Sequence, residues 1–445
     1  MNYSIWQKGF VKKNPDIMIR INTEGISGTL SKVALDEAIE VARKAFQKVQ
    51  DGSGSGSEWL GWRRILNSPN DAELEEIEQQ AAKIRADADI FIVCGIGGSY
   101  QGARAIIEAL TKPFGNKGPE VVFAGHQLGG QYLEKLLEYV KRPKEDGSPK
   151  SVYLNVISKS GTTLETAIAF RLLRKWMHDT YGDEAKKRIT ATTGETGGVL
   201  NKIISEEGYK KYVIPEDVGG RYSVLTPVGL LPAAVSGLDI QTLYYGAVAE
   251  YESREEDPGD LLTYAAARYL LHEKGYALDV LGSFEPELNQ LCGWTQQLLG
   301  ESEGKEGKGL FPAIAAYSTD LHSIGQLIQQ GQRNIMETLI TVDKPLSDLR
   351  LTNMDSDIDQ LDYLAGEPIY KINNGALEGT YQAHVEGGVP VIRVEFEKLN
   401  EQQVGRFIYF YELFTAVYVY MLGVNPFNQP GVENYKKAMY KLLGK

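Results

Sequence analysis

Two spacings of apolar residues alternate along this chain. Residues 32–50 carry an amphipathic pattern that predicts a helix. Next comes Asp51-Gly52-Ser53-Gly54-Ser55-Gly56-Ser57, whose composition reads either as a flexible connector or as an ordered glycine-rich loop crossing between domains. Leu66–Ala86 is then expected to be helical. Ile90–Cys94 is a short β-branched run ending in glycines, the signature of a buried strand. Gly102–Leu110 reads as helix, Val121–Ala124 as strand, Gln131–Val140 as helix and Val152–Ile157 as strand. Thr162–His178 predicts a helix, with Leu164, Ile168, Leu172 and Trp176 along one stripe at four-residue spacing. Ile189–Thr193 and Lys211–Ile214 predict two further strands.

The second half continues in the same style. Asp260–Glu273 reads as helix, Leu278–Gly282 as strand and Glu285–Leu299 as helix. His322–Gln330 is expected to be helical and Val389–Glu397 a strand. Asn400–Leu422 is a long aromatic helix suited to a buried interface, and Gly431–Leu443 is a closing one. Strands separated by helices imply parallel sheets covered on both faces, hence an α/β fold. The break between two such domains is expected near 205–225. That gives a helical N-terminal segment over 1–60 packing on the larger domain, a first domain over 61–205, a second over 206–425, and a C-terminal helix over 426–445. No short-period repeat of the solenoid kind is present.

Composition narrows the class. A chain of 445 residues with 42% hydrophobic and 24% charged residues can bury large cores. A net charge of −12 would repel nucleic acid and anionic lipid over most of the surface, so any anionic ligand must be held by a few aimed donors. Cys94 and Cys292 are not in CxxC spacing and read as reduced core residues. The N-terminal stretch MNYSIWQKGFVKKNPD has no apolar core of signal-peptide length. Nowhere do about 18 apolar residues run together. The expected address is cytoplasmic.

Five stretches could carry chemistry. Gly95-Ile96-Gly97-Gly98-Ser99 follows a predicted strand, where backbone amides and a helix start can meet an anion. A tight strand-to-helix turn fits the same residues. A dinucleotide fingerprint does not, because Tyr100 stands at the third glycine position. Ser158-Lys159-Ser160-Gly161-Thr162-Thr163 sets four hydroxyls at a helix N-terminus. Capping needs one hydroxyl, and a phosphate would use several. In Gly219-Gly220-Arg221-Tyr222-Ser223 the arginine can stabilise an oxyanion from a crevice or form a surface salt bridge. Gln297-Leu298-Leu299-Gly300-Glu301-Ser302-Glu303-Gly304-Lys305 places Glu301 where a helix ends. Burial there would make it a general base, whereas exposure would make it one of a solvated charge cluster. The glycine spacing excludes a P-loop. Asn428-Gln429-Pro430-Gly431-Val432-Glu433-Asn434-Tyr435-Lys436 breaks the chain before a helix and puts Lys436 in its second turn. Of five histidines, His322 has the setting best suited to proton transfer, although a lone histidine is often structural. His126, His178, His272 and His384 are read as structural or exposed.

Taken in order, GIGGS, SKSGTT, GGRYS, GESEGK and NPFNQPGVENYKK resemble the glucose-6-phosphate isomerase family over essentially the whole chain, in its shorter bacterial form. The resemblance implies two sugar-isomerase (SIS-type) three-layer αβα domains with mostly parallel sheets. It also implies interconversion of glucose 6-phosphate and fructose 6-phosphate, in glycolysis and gluconeogenesis, through ring opening and a cis-enediol. Carried over motif by motif, it makes Glu301 the base that shuttles a proton between C2 and C1. Lys436 lies near the ring oxygen and Arg221 at the enediolate. His322 assists ring opening, supplied by the neighbouring subunit of a homodimer or higher homo-oligomer. Gly98, Ser99, Ser158, the Lys159 amide, Ser160, Thr163 and Gly220 fall in the phosphate-holding loops. Gln297 contacts the sugar phosphate, and Glu165 orients the histidine. No metal, organic cofactor, nucleic acid or membrane partner is implied. A non-catalytic phosphosugar sensor would have no use for Glu301 or Lys436, and a nicotinamide dehydrogenase is disfavoured by Tyr100.

Overall fold

The computed structural model describes residues 19–112, 114 and 118–444, so the N-terminal stretch weighed above as a targeting signal lies outside the described residues. In chain order the elements begin with β1 (Arg20–Asn22) and α1 (Lys32–Gln50). There follow α2 (Gly61–Asn67), α3 (Asp71–Asp87), β2 (Ile90–Cys94), α4 (Gln101–Leu110), β3 (Glu120–Ala124), α5 (Gly130–Lys141), β4 (Val152–Ile157), α6 (Leu164–Tyr181), α7 (Ala185–Arg188), β5 (Ile189–Gly194), α8 (Gly198–Glu207), β6 (Lys210–Ile214), α9 (Pro227–Val235) and α10 (Ile240–Glu256). The remainder comprises α11 (Gly259–Glu273), β7 (Leu278–Ser283), α12 (Asn289–Glu303), β8 (Phe311–Ala316), α13 (Gly325–Gln330), β9 (Ile335–Val342), α14 (Ile369–Glu386), β10 (Val391–Phe396), α15 (Glu401–Met421) and α16 (Val432–Leu442).

Two compact units result. A central unit spans Gly56–Val248, and a terminal unit joins the chain up to Ser55 with the chain from Ala249 onward. The boundary expected at 205/206 therefore moves to 248/249. The reason is β6, which completes the central sheet by pairing with β5, and α9, which packs on α3 and α4. The expected N-terminal segment likewise divides at Ser55, with α1 packed on α11 and α15. The glycine-rich stretch before α2 is ordered: the Tyr420 hydroxyl donates to the Ser55 carbonyl at 3.0 Å.

Each unit is built on a five-stranded sheet. The central order is β3-β2-β4-β5-β6, all parallel. The terminal order is β1-β10-β9-β7-β8, parallel except for the antiparallel edge strand β1. β2 and β5 are buried at every residue, as strands covered on both faces must be. In both sheets the first parallel strand lies between the second and third. Loops leaving the carboxyl ends of the first and third strands then diverge, which opens a crevice.

Several local readings change. The helix expected over Leu66–Ala86 breaks at Ser68-Pro69-Asn70, because a residue before proline resists the helical region. The Asn70 side chain then accepts from the Glu73 amide and starts α3. On α6 the buried face is Thr166, Ala169, Phe170, Leu173, Trp176 and Met177, and Ile168 and Leu172 are 38% and 42% exposed. A four-residue spacing drifts by about 40° per step around a helix, so that stripe leaves the core. α15 is buried from Gln403 to Met421 against α1, α11 and α12. Its apolar length is covered by its own chain, and the interface expected there is not needed to explain it. β1, β8 and β9 lie outside the strands expected above, although Ile335–Val342 is rich in β-branched residues. β8 contains Pro312, which is tolerated because β8 is the sheet edge. Cys94 and Cys292 are free and buried, and burial pushes both thiols up to about 12. No helix among the described residues is long and apolar enough to cross a membrane.

Candidate active site

In the central unit the glycine loop leaves β2, the hydroxyl loop leaves β4 and the arginine turn follows β6, all at carboxyl ends of parallel strands. The first two flank the crevice where strand order reverses. Gly98 lies against the Gly220 carbonyl so closely that a Cβ there would stand 1.9 Å from the oxygen. The glycine loop and the arginine turn thus form one surface. Ser99 is partly exposed on it.

The hydroxyl loop shapes itself. Buried Ser158 accepts from the Gly161 amide at 3.0 Å, and Ser160 accepts from the Thr162 amide at 3.2 Å and its hydroxyl at 3.0 Å. Gly161 takes φ +69°, where a Cβ would meet the Leu200 amide at 2.5 Å. Thr163 precedes α6 without capping it, so its hydroxyl stands beside the positive end of an 18-residue helix. Simple capping therefore does not account for these residues. The Lys159 ammonium is used elsewhere: it donates to the carbonyls of Glu216 at 2.8 Å, Val218 at 3.2 Å and Pro215 at 3.3 Å, and lies over the Trp59 ring. Burial lowers its pKa. Only its main-chain amide is left to serve an anion.

Arg221 is 3% exposed, which removes the surface salt-bridge reading. Its guanidinium lies 5.6 Å from the Tyr222 ring, which stacks on Trp62 at 5.2 Å. Glu165, in the first turn of α6, is partly buried and makes no hydrogen bond among the described residues. Tyr100 stacks on His126 at 4.6 Å, filling with two rings the space beside the glycine loop.

In the terminal unit the last turn of α12 carries two glutamates with different fates. Glu303 is fully buried and takes a two-pronged ion pair from Arg268, both contacts 2.8 Å, plus the Leu310 amide at 2.9 Å. The same guanidinium reaches buried Asp279 on β7 at 2.8 Å. This cluster pins the end of α12 to the sheet. Glu301, two residues earlier, is partly buried. Its Oε1 accepts from the Gln297 side-chain amide at 2.9 Å, one helical turn back, and its Oε2 accepts from the Gln429 amide. Each oxygen is oriented by a neutral donor. Gln297 thus holds Glu301, while its own Oε1 is buried without a hydrogen-bond partner among the described residues. Lys305 donates to the Asn425 carbonyl and Lys308 to that of Leu422, tying the segment that carries Gln429 to the end of α12.

Gln429 was missed as a functional residue. Its signal was its place in the glutamine-proline-glycine break, but a contact 128 residues distant from Glu301 has no local mark. The structure does not join the other two expected groups to Glu301. His322 is exposed on the turn Thr319–His322 and makes no hydrogen bond among the described residues. Lys436 stands on α16, which has no buried residue, and pairs with Glu433 at 2.9 Å, a contact that raises its pKa.

One unit therefore offers aimed hydroxyls, amides and a buried guanidinium, and the other an oriented carboxylate. Comparisons with known proteins identify the family. The profile of the family described as phosphoglucose isomerase matches residues 80–444. The chain is 46% identical over 422 residues to a glucose-6-phosphate isomerase of Bacillus cytotoxicus, covering 92% of each chain. It is 44% identical over 417 residues to one of Staphylococcus haemolyticus, covering 92% of this chain and 93% of that one. Among solved structures, a hypothetical protein of Thermus thermophilus superposes with a TM-score of 0.85 at 26% identity, covering 96% of this chain and 100% of that one. A glucose-6-phosphate isomerase of Chlamydia trachomatis superposes at 0.72 and 19% identity, over 84% and 73% of the two chains, and shows the shared fold. On residues, strand order and these matches together, the chain belongs to the phosphoglucose isomerase family.

Proposed function

We propose that this chain interconverts D-glucose 6-phosphate and D-fructose 6-phosphate, with Glu301 as the base that carries the proton between C2 and C1. The observation that carries the reading is the carboxylate of Glu301, partly buried and held at both oxygens by Gln297 and Gln429. A base fixed in this way needs no reorganisation when the proton moves.

The phosphate, with about −1.5 to −2 charge, binds the hydroxyls of Ser99, Ser158, Ser160 and Thr163 and the amides around Gly98, Lys159 and Gly220. It is the handle whose binding energy positions C1 and C2. His322 and Lys436 open the ring, one taking the hydroxyl proton and the other giving a proton to the ring oxygen. Glu301 then removes the C2 proton. The electron pair forms the C1–C2 double bond, and the aldehyde oxygen becomes the enediolate oxygen, which Arg221 offsets. Passage of the C2 hydroxyl proton to the C1 oxygen and return of the carried proton to C1 form the carbonyl at C2 and give the ketose. Gln297 positions Glu301, and Glu165 supports the histidine. His322 is exposed on its own turn, which suits service to a second copy of the chain in a homodimer. The reaction uses small soluble anions, and we place it in the cytoplasm.

The test is a coupled assay of fructose 6-phosphate turnover on the wild type and on Glu301→Gln. The wild type should turn over substrate. The variant should keep substrate binding and lose turnover by roughly 10²–10⁴-fold. Near wild-type turnover in the variant would remove Glu301 from this role.

A further inference from the structure

His322 is an exposed side chain on a four-residue turn, and ring opening asks it to be aimed. The turn is braced locally by Asp320, whose carboxylate accepts from the Ala316 amide and the Ser323 hydroxyl, each at 2.7 Å. Beneath it lies a second support. Tyr317, immediately before the turn, is 5% exposed, and its hydroxyl donates to Oε1 of Glu337 on β9. The other oxygen of Glu337 meets Nδ1 of His384 on α14 at 2.5 Å. Glu337 is wholly buried and His384 is 3% exposed. A carboxylate in the middle of a parallel sheet is costly, and apolar residues would stabilise that position at least as well. What a phenol–carboxylate–imidazole chain adds is one fixed orientation for its members.

The phenol ring is held as firmly as its hydroxyl. Gly282 on β7 leaves room for it, since a Cβ there would stand 2.7 Å from the ring, and Phe284 packs at 5.1 Å. Burial and the neighbouring Glu337 push the phenol far above its ordinary pKa, so it stays a donor. On the far side, His384 lines a groove of ≈ 450 Å³ between α13 and α14, together with Leu321 of the His322 turn and Gly325. The chain of bonds thus runs from Tyr317, just ahead of the turn, by way of Glu337 on β9 to His384 on α14.

We infer that Tyr317, Glu337 and His384 are positioning residues that aim the His322 turn for ring opening. The inference rests on the ring-opening role proposed for His322. Its test needs a substrate that skips ring opening. A fructose 6-phosphate analogue lacking the 5-hydroxyl cannot close its ring, yet its C1 proton can still exchange with solvent through Glu301.

On the full-length protein, Tyr317→Phe and His384→Gln should slow turnover of ordinary fructose 6-phosphate by roughly 10–100-fold, the scale of a misplaced catalytic group. Both should leave solvent-deuterium exchange at C1 of the open-chain analogue within roughly twofold of wild type. Equal loss on both substrates would mean a general structural role, and no loss on either would mean no role; each overturns the inference. Tyr317→Phe deletes a single oxygen, so it remains informative if His384→Gln or Glu337→Gln folds poorly. His322→Ala reports separately on the underlying reading. If it keeps turnover of the ring-closed sugar, the ring-opening role fails and the inference falls with it. If it loses that turnover while Tyr317→Phe does not, only the positioning inference falls.

Discussion

The two sheets share a strand order and differ in what they hang on it. In the central unit the crevice between β2 and β4 is lined by glycines and hydroxyls, with the start of α6 beside them. In the terminal unit the equivalent crevice, between β7 and β9, is entered by Ser283-Phe284-Glu285-Pro286-Glu287. Glu285 there accepts from the Asn373 amide at 3.0 Å, and burial and Glu287 raise its pKa. Two carboxylates and a phenylalanine ring cannot hold a phosphate. On the proposed reading the same topology supplies an anion site once, and the second sheet puts its chemistry at the far end of α12. Fold topology offers positions; the residues on the loops decide their use.

The largest expected effect tests that division of labour. Glu301→Gln should act on kcat and spare KM, because the amide remains a hydrogen-bonding partner but cannot accept the proton. Next come the supports of that base. Glu303→Ala leaves two N–H groups of the Arg268 guanidinium and the Leu310 amide buried without their acceptor, so stability should fall by about 3–5 kcal/mol. Denaturant unfolding measures it, and a loss under ~1 kcal/mol would show that the cluster does not pin α12. In the central unit, Ser158→Ala with Thr163→Ala should raise KM by roughly 10²–10⁴-fold, given about 1.5–3 kcal/mol for each of two hydrogen bonds to a charged group. An unchanged KM would detach the phosphate from this loop.

Smaller effects sharpen the contrast further. Glu412 on α15 is fully buried, neither of its oxygens has a hydrogen-bond partner among the described residues, and burial holds its carboxyl well above 4.5. A folded pKa above the unfolded one gives a contribution that is lost as pH rises from the unfolded value. Glu412→Gln, which cannot ionise, should therefore gain in Tm relative to wild type between about pH 5 and about pH 8. A constant difference would mean that the carboxyl does not stay protonated in the fold. The smallest effect belongs to Glu285→Gln: if the second crevice plays no part in phosphate binding, KM should not move.

How legible these features were depended on the range of the interactions behind them. The anion loop announced itself because a strand, a turn and a helix start follow one another within a few residues. Glu301 was marked by the resemblance that GESEGK carries, since its place at a helix end also fitted a solvated charge cluster. Lys159 was legible as a member of the loop, but not as a side chain tied to carbonyls at 215–218, because that tie depends on β6 lying beside β5. Glu303 sat in the same motif as Glu301, and nothing local separated base from brace; Arg268, 35 residues earlier, does so. α15 read as an interface because its apolar length exceeded what one face needs, and only the packing of α1, α11 and α12 around it shows why.

By itself the amino-acid order determined the alternation of strand and helix, the parallel α/β class and the loops where hydroxyls and glycines gather at strand ends. Those follow from periodicity and turn chemistry, which act within a helix turn or two. Tertiary structure alone decided that the chain returns at residue 249 to complete the unit begun by its N-terminal part. It also decided that Gln429 holds Glu301, and that a tyrosine, a glutamate and a histidine from three elements join beneath the His322 turn. Such partners are chosen by which surfaces pack together, and packing brings side chains within 3 Å that no local pattern connects.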